Sequence, residues 1–163
     1  MPGLKVIMPA FAEDAKGMIA AAVEDDNPVV VIEHRWSHYT TSPVAEGYVH
    51  RPLDGPRTVR EGDGLTIVAT SYMTLEAVRA ADKLAEAGYP VEVLDLRVIR
   101  PLNLDPIVES VARTGRLMPD AELTRAGQGL LSGRRQDRPH RSRNDGTGRR
   151  QDLRHRREHS GRP

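Results

Sequence analysis

The chain is an α/β protein built on a mainly parallel sheet. Three observations predict this. Short β-branched runs alternate with alanine- and leucine-rich stretches of helical length, and the order strand, helix, strand occurs twice. Turn formers stand between the pieces, with Asp, Asn and Pro after the first helical stretch and Gly after the second. A strand–helix–strand unit normally sets its two strands parallel, joined by a right-handed crossover.

The first unit opens with Leu4–Met8, an apolar run closed by Pro9. Glu13 and Asp14 then begin an alanine-rich helix over Ala15–Val23, and acidic residues in a first turn complement the helix dipole. Glu24–Pro28 is a turn, because Asp and Asn bond their own backbone and Pro28 forbids further helix. Val29–Ile32 has no polar alternation, which predicts a strand covered on both faces.

Glu33–Pro56 holds no sustained period, carries Trp36, Tyr39 and Tyr48, and is punctuated by Pro43, Pro52, Gly55 and Pro56. A stretch of that length reads as a linker between modules. The second unit follows. Leu65–Ala69 is a strand after a Glu-Gly-Asp-Gly turn, Thr74 is the expected N-cap, and the helix from Leu75 ends at Gly88. Val91–Leu96 is the next strand. Asp105 is expected to cap a third helix with Pro106 at its first position and Ile107, Val108 and Val111 as its buried stripe, closing at Thr114-Gly115. Met118-Pro119-Asp120 is expected to break any strand after Leu117.

Composition excludes several classes. There is no cysteine, so neither disulfides nor thiolate metal sites arise. No apolar stretch is long enough to span a bilayer, and the first residues lack the pattern of a secretory signal; a cytoplasmic protein without membrane contact is expected. The formal net charge of +1 hides an asymmetry. No lysine follows Lys83, and the last isoleucine, valine and aromatic are Ile107, Val111 and Tyr89. The Arg- and Gly-rich remainder cannot bury enough apolar surface to offset about 1–2 kcal/mol of backbone ordering per residue, so disorder is expected there. Its Arg-, Gly-, Pro-, His-, Asp- and Gln-rich text without lysine also suggests an out-of-frame translation.

Two segments then resemble a known family. PGLKVIMPAFAEDAKGMIAAAVEDDNPVVVIEHR (2–35) is similar to the second half of the pyrimidine-binding domain in beta subunits of the thiamin-diphosphate-dependent pyruvate, branched-chain 2-oxo acid and acetoin dehydrogenases. TIVATSYMTLEAVRAADKLAEAGYPVEVLDLRVIRPLNLDPIVESVARTGRL (66–117) resembles the start of their transketolase C-terminal domain. The resemblance implies a division into a partial pyrimidine-binding domain (1–35), a linker (36–60), a partial C-terminal domain (61–118) and a disordered tail (119–163). It implies a beta-subunit fragment cut at both ends and inactive alone. The family's reaction is oxidative decarboxylation of a 2-oxo acid with acyl transfer to a lipoyl carrier. Implied partners are an alpha subunit, a second beta subunit and the lipoyl acyltransferase component. Thiamin diphosphate and magnesium serve the family but are not expected on this segment by itself, which offers no catalytic or cofactor-binding residue.

The resemblance also implies a potassium site at the Glu24–Asn27 turn, formed by the Ala22 carbonyl, Asp25 and Asn27; the plainer reading is a set of turn formers. Hard cations require several converging oxygens, which an irregular turn can supply. Glu33, His34, Trp36 and His38 cluster after a strand, where α/β proteins place functional groups, or serve subunit contacts. A His34/His38 metal pair would need a helix, and the local sequence reads as loop. Thr70 and Ser71 precede a helix start that could bind phosphate, although no nucleotide-binding glycine motif accompanies them. Asp95 and Arg97 end a strand and could form a catalytic-looking pair; structural pairing is the plainer reading. A rival function is a binding module whose Arg-rich tail contacts nucleic acid; without aromatics for base stacking, such contact is not expected to be specific.

Overall fold

The computed structural model describes residues 2–120. In chain order these form β1 (Lys5–Ile7), α1 (Ala12–Glu24), β2 (Val29–Val31), a 3-10 helix (Arg35–Tyr39), β3 (Arg57–Arg60), β4 (Leu65–Ala69), α2 (Tyr72–Glu86), β5 (Val91–Asp95), β6 (Val98–Arg100), α3 (Asp105–Thr114) and β7 (Leu117–Pro119). They make two sheets, ordered β2-β1-β6 and β3-β5-β4-β7. The β1–β2, β4–β5 and β4–β7 pairs are parallel, as the α/β reading requires. The β1–β6 and β3–β5 pairs are antiparallel.

The larger sheet lies between two helices because its central strands are apolar on both faces. Ile67 and Val93 point to one side and meet Ala81, with Ala77 and Val78 of α2 packed around them. Their neighbours Val68 and Leu94 point to the other side and meet Ile107, with Val111 of α3 beside it. Each such side chain contributes about 1.5–3 kcal/mol when fully buried. The smaller sheet carries α1 on one face, where Ile7, Met18 and Val98 form a third cluster with Ala22, Val29 and Leu53.

Several expectations are corrected. Val29–Ile32 is not covered on both faces: among the described residues β2 is an edge strand paired with β1, and Val30, Val31 and Ile32 are 43%, 37% and 40% exposed. The second helix starts at Tyr72 with Ser71 as N-cap, so Thr74 is an interior, buried residue rather than the cap. Leu104 rather than Asp105 is the N-cap of α3, and the Asn103 side chain accepts from the Asp105 amide at 3.1 Å. Met118-Pro119 does not break the last strand. The proline pairs with Val68 at the sheet's edge, where a missing N–H is tolerated, and the next amide, Asp120, donates to the Val68 carbonyl at 2.9 Å. The stretch read as a linker, and as loop around His34 and His38, contains the 3-10 helix. The helix ends agree better: Gly88 (φ 84°) and Gly115 (φ 71°) adopt the left-handed conformation that closes α2 and α3. The tail expectations concern residues 121–163, which lie outside the described residues.

Candidate functional site

The two sheets meet where β5 runs into β6, at Leu96-Arg97. The Leu96 amide still donates to Ala69 of the larger sheet at 2.9 Å, while the Arg97 carbonyl already accepts from Met8 of the smaller sheet at 2.6 Å. Changing sheets within one peptide forces Arg97 to φ 52°, a conformation few non-glycine residues adopt. The buried Arg97 guanidinium spans the seam. It donates to Asp14 Oδ1 of α1 at 3.4 Å, to Asp54 Oδ1 at 3.2 Å and to the Gly55 carbonyl at 2.9 Å.

Asp14 is fully buried, and its other oxygen faces Arg57 of β3 at 2.7 Å. That approach is an ion pair whose angles do not make a hydrogen bond, so Oδ2 has charge compensation without a donor. Asp95, at the end of β5, is equally buried. One of its oxygens accepts from Thr74 Oγ1 of α2 at 3.0 Å and the other has no hydrogen-bond partner. Burial pushes the Asp95 carboxyl up to about 7, against the lowering effect of the Thr74 hydrogen bond; the Asp14 charge raises it further, and Arg97 and Arg57 lower it. Asp95 and Arg97 therefore belong to one buried cluster but do not pair with each other: the guanidinium goes to Asp14 and Asp54, and the Asp95 carboxyl to Thr74. Asp14, Arg57 and Thr74 complete it. The sequence signal for them was slight: Asp14 read as a dipole-favouring helix start, and Arg57 lay in the linker.

The Glu33, His34 and His38 side chains line a surface pocket of about 220 Å³ with Phe11, Ser37 and Thr40. It opens beyond the ends of β1 and β2, where parallel sheets place ligands. His38 Nε2 lies 3.4 Å from Glu33 Oε2. His34 turns away from a ligand role: its ring stacks on Tyr72 at 5.3 Å, and its Nδ1 accepts from the Trp36 amide at 3.3 Å. Trp36 also meets Tyr72, at 6.0 Å, so this loop rests against the first residue of α2. Among the described residues no group of three His, Cys, Asp or Glu side chains could hold a metal ion.

Asp25 and Asn27 come together at the end of α1, while Ala22, in the last turn of that helix, packs against the Ile7, Met18 and Val98 cluster. Asp25 is the C-cap, and its Oδ1 accepts from the Asn27 amide at 2.9 Å and from Asn27 Nδ2 at 3.1 Å. Its Oδ2 takes a hydrogen bond from the Lys5 ammonium. That bond and the two from Asn27 hold the Asp25 carboxyl down at about 2. Both carboxylate oxygens are thus engaged, with an ammonium where a cation would lie. Thr70 and Ser71 are buried, their hydroxyls have no hydrogen-bond partner, and the Thr70 amide donates to Asp120 Oδ2 at 2.9 Å. A carboxylate already meets the backbone at that helix start.

A second buried network was missed in the sequence. Glu92 of β5, 2% exposed, accepts from Ser110 Oγ and takes Arg113 Nη2 at 2.6 and 2.5 Å on its two oxygens. Thr66 adds its hydroxyl to Ser110 at 2.6 Å. The clue was a charge at the second position of an apolar run, Val91-Glu92-Val93-Leu94.

With this geometry the chain falls into the transketolase-like α/β class. Residues 56–127 match the family model "Transketolase, C-terminal domain". A solved structure described as "Split gene transketolase, inactive beta4 tetramer" superposes with a TM-score of 0.62 at 27% identity, over 73% of this chain and 38% of that one. The pyruvate dehydrogenase E1 component subunit beta of Rickettsia bellii is 41% identical over 118 residues, covering 72% of this chain and 36% of that protein. The 2-oxoisovalerate dehydrogenase subunit beta of Pseudomonas aeruginosa is 37% identical over 140 residues, covering 76% and 39%. Over the matched residues the chain is similar to 2-oxo acid dehydrogenase beta subunits, and it spans a little over a third of the length of these curated relatives.

Proposed function

We propose that the chain acts as a beta-subunit segment of a thiamin-diphosphate-dependent 2-oxo acid dehydrogenase, working only within an assembly. The observation that carries the reading is the 41% identity to a pyruvate dehydrogenase beta subunit over 118 residues. When bound, thiamin diphosphate would supply the carbanion chemistry that decarboxylates the 2-oxo acid, with the acyl group passing to a lipoyl carrier. The described residues do not themselves fit that cofactor. The Glu33–His38 pocket, at about 220 Å³, is below the roughly 300–1,000 Å³ typical of small-molecule sites, and no acidic cluster suits magnesium. The role that fits them is mechanical: Arg97 and its carboxylates lock two sheets at a fixed angle, so that both present their surfaces to neighbouring subunits.

Partners in this reading are an alpha subunit, a second beta copy and the lipoyl acyltransferase component, in the cytoplasm. The tetramer named for the split-gene transketolase structure supports contact between beta-type chains. A potassium ion at the Ala22 carbonyl, Asp25 and Asn27 is also proposed, and it would have to displace the Lys5 ammonium. No helix among the described residues is long and apolar enough to cross a membrane. The nucleic-acid alternative rests on the tail, outside the described residues, and finds no support in these relatives.

Native mass spectrometry of the full chain mixed with a pyruvate dehydrogenase alpha subunit tests the proposal. Mixed alpha–beta oligomers are expected, and acceptor reduction driven by pyruvate or 2-oxoisovalerate only in the mixture, if at all. Failure to associate with alpha subunits of either specificity would remove the reading.

A further inference from the structure

We propose that the buried Asp14–Arg57–Arg97–Asp95 cluster is a proton-operated latch on the seam between the two sheets, closed while Asp95 is protonated and loosened when it ionises. The cluster is assembled from several elements. Asp14 comes from α1, Arg57 from β3, Thr74 from α2, Arg97 from the sheet-to-sheet crossing, and Asp54 from the loop before β3. Two guanidiniums face three carboxylates, so the charges balance only when one carboxylate is neutral. Asp95 is the one that meets no guanidinium within ion-pair distance and keeps an oxygen without a partner.

Ionised Asp95 would be a fully buried anion, which is costly unless a cation pairs with it. The cations at hand are those already holding Asp14, so Arg57 and Arg97 would be shared and the α1 side of the latch weakened. Arg97 also fixes the Met8 amide through its carbonyl, which couples its displacement to the β1–β6 edge. The Asp95 carboxyl, raised by burial, supports the choice of this group as the trigger.

Hydrogen exchange of the full chain tests the latch. Protection of the Met8 and Leu96 amides is expected to fall about tenfold between pH 6 and 8, after correction for the intrinsic rate, as ionisation favours the opened state. Asp95→Asn, which is uncharged at every pH, is expected to keep constant protection. Constant protection in the wild type, or an equal fall in Asp95→Asn, would overturn the proposal. Should that variant not fold, the carboxyl carbon of Asp95 in the wild type gives the answer by NMR titration. A midpoint near 7 shared with the loss of Met8 protection supports the latch, and a midpoint below 5 overturns it.

Discussion

Replacing Arg113 by Met should destabilise the chain far more than its half-exposed position suggests. The Arg113 side chain is 52% exposed, yet it caps both oxygens of Glu92, whose side chain is 2% exposed in the middle of β5. Removing one partner of a buried pair costs about 3–5 kcal/mol because the remaining charge is left uncompensated. Here water reaches the arginine end and Ser110 still donates, so about 2–3 kcal/mol is expected, after discounting for that screening. Glu92→Gln should cost about 1 kcal/mol at most, since a neutral amide still accepts from Ser110 and Arg113 turns into solvent. The double variant should then resemble Glu92→Gln, giving a coupling of about 2 kcal/mol. Urea unfolding with unchanged m values reads these differences as shifts in midpoint. An Arg113→Met variant within about 0.5 kcal/mol of wild type, or a double variant less stable than Arg113→Met, would refute the reasoning.

Other consequences are as direct. The folded-state value of Asp95, about 7, lies above the ordinary 3.8, so the folded chain binds the extra proton between those values. Stability should therefore fall by about 1.4 kcal/mol per pH unit as pH rises through that window and level off above it, whereas Asp95→Asn should lack this slope in urea titrations at pH 5, 6 and 8. Gly62→Ala should lower stability by about 1–3 kcal/mol in thermal melts, because a Cβ there would lie 2.3 Å from the Val91 carbonyl carbon and backbone must move; an unchanged Tm would contradict the packing described. If potassium binds at Ala22, Asp25 and Asn27, melting temperature should be higher in potassium chloride than in choline chloride at equal ionic strength. Asp25→Asn should abolish the difference, and no difference in the wild type would leave Lys5 as the turn's only cation.

Much of the fold was legible in the sequence because local signals and tertiary context agree there. Ile67, Val68, Val93 and Leu94 are buried on alternating faces, and such a run is what a sheet between two helices needs. Where context overrides local signals, the reading failed. Val29–Ile32 has the composition of a central strand but lies at an edge, and neighbours cannot be counted from one segment. Pro119 looks like a strand breaker, yet an edge position asks nothing of its nitrogen. Arg57–Arg60 is short, charged and preceded by prolines, so its pairing with β5 was hidden in the linker. The candidate site was legible only in pieces. Asp95 and Arg97 stood out as polar residues closing an apolar strand, whereas Asp14, 83 residues from Arg97, is brought in by the crossing between sheets. His34 and His38 suggested chemistry by type, and the structure spends one of them on a stack with Tyr72.

The central claim is that these residues form part of a shared enzyme whose coenzyme site they do not complete. Calorimetric titration of thiamin diphosphate with magnesium into the purified full chain tests it most directly. No saturable binding is predicted without an alpha subunit. Tight, stoichiometric binding by this polypeptide unaided would contradict the account.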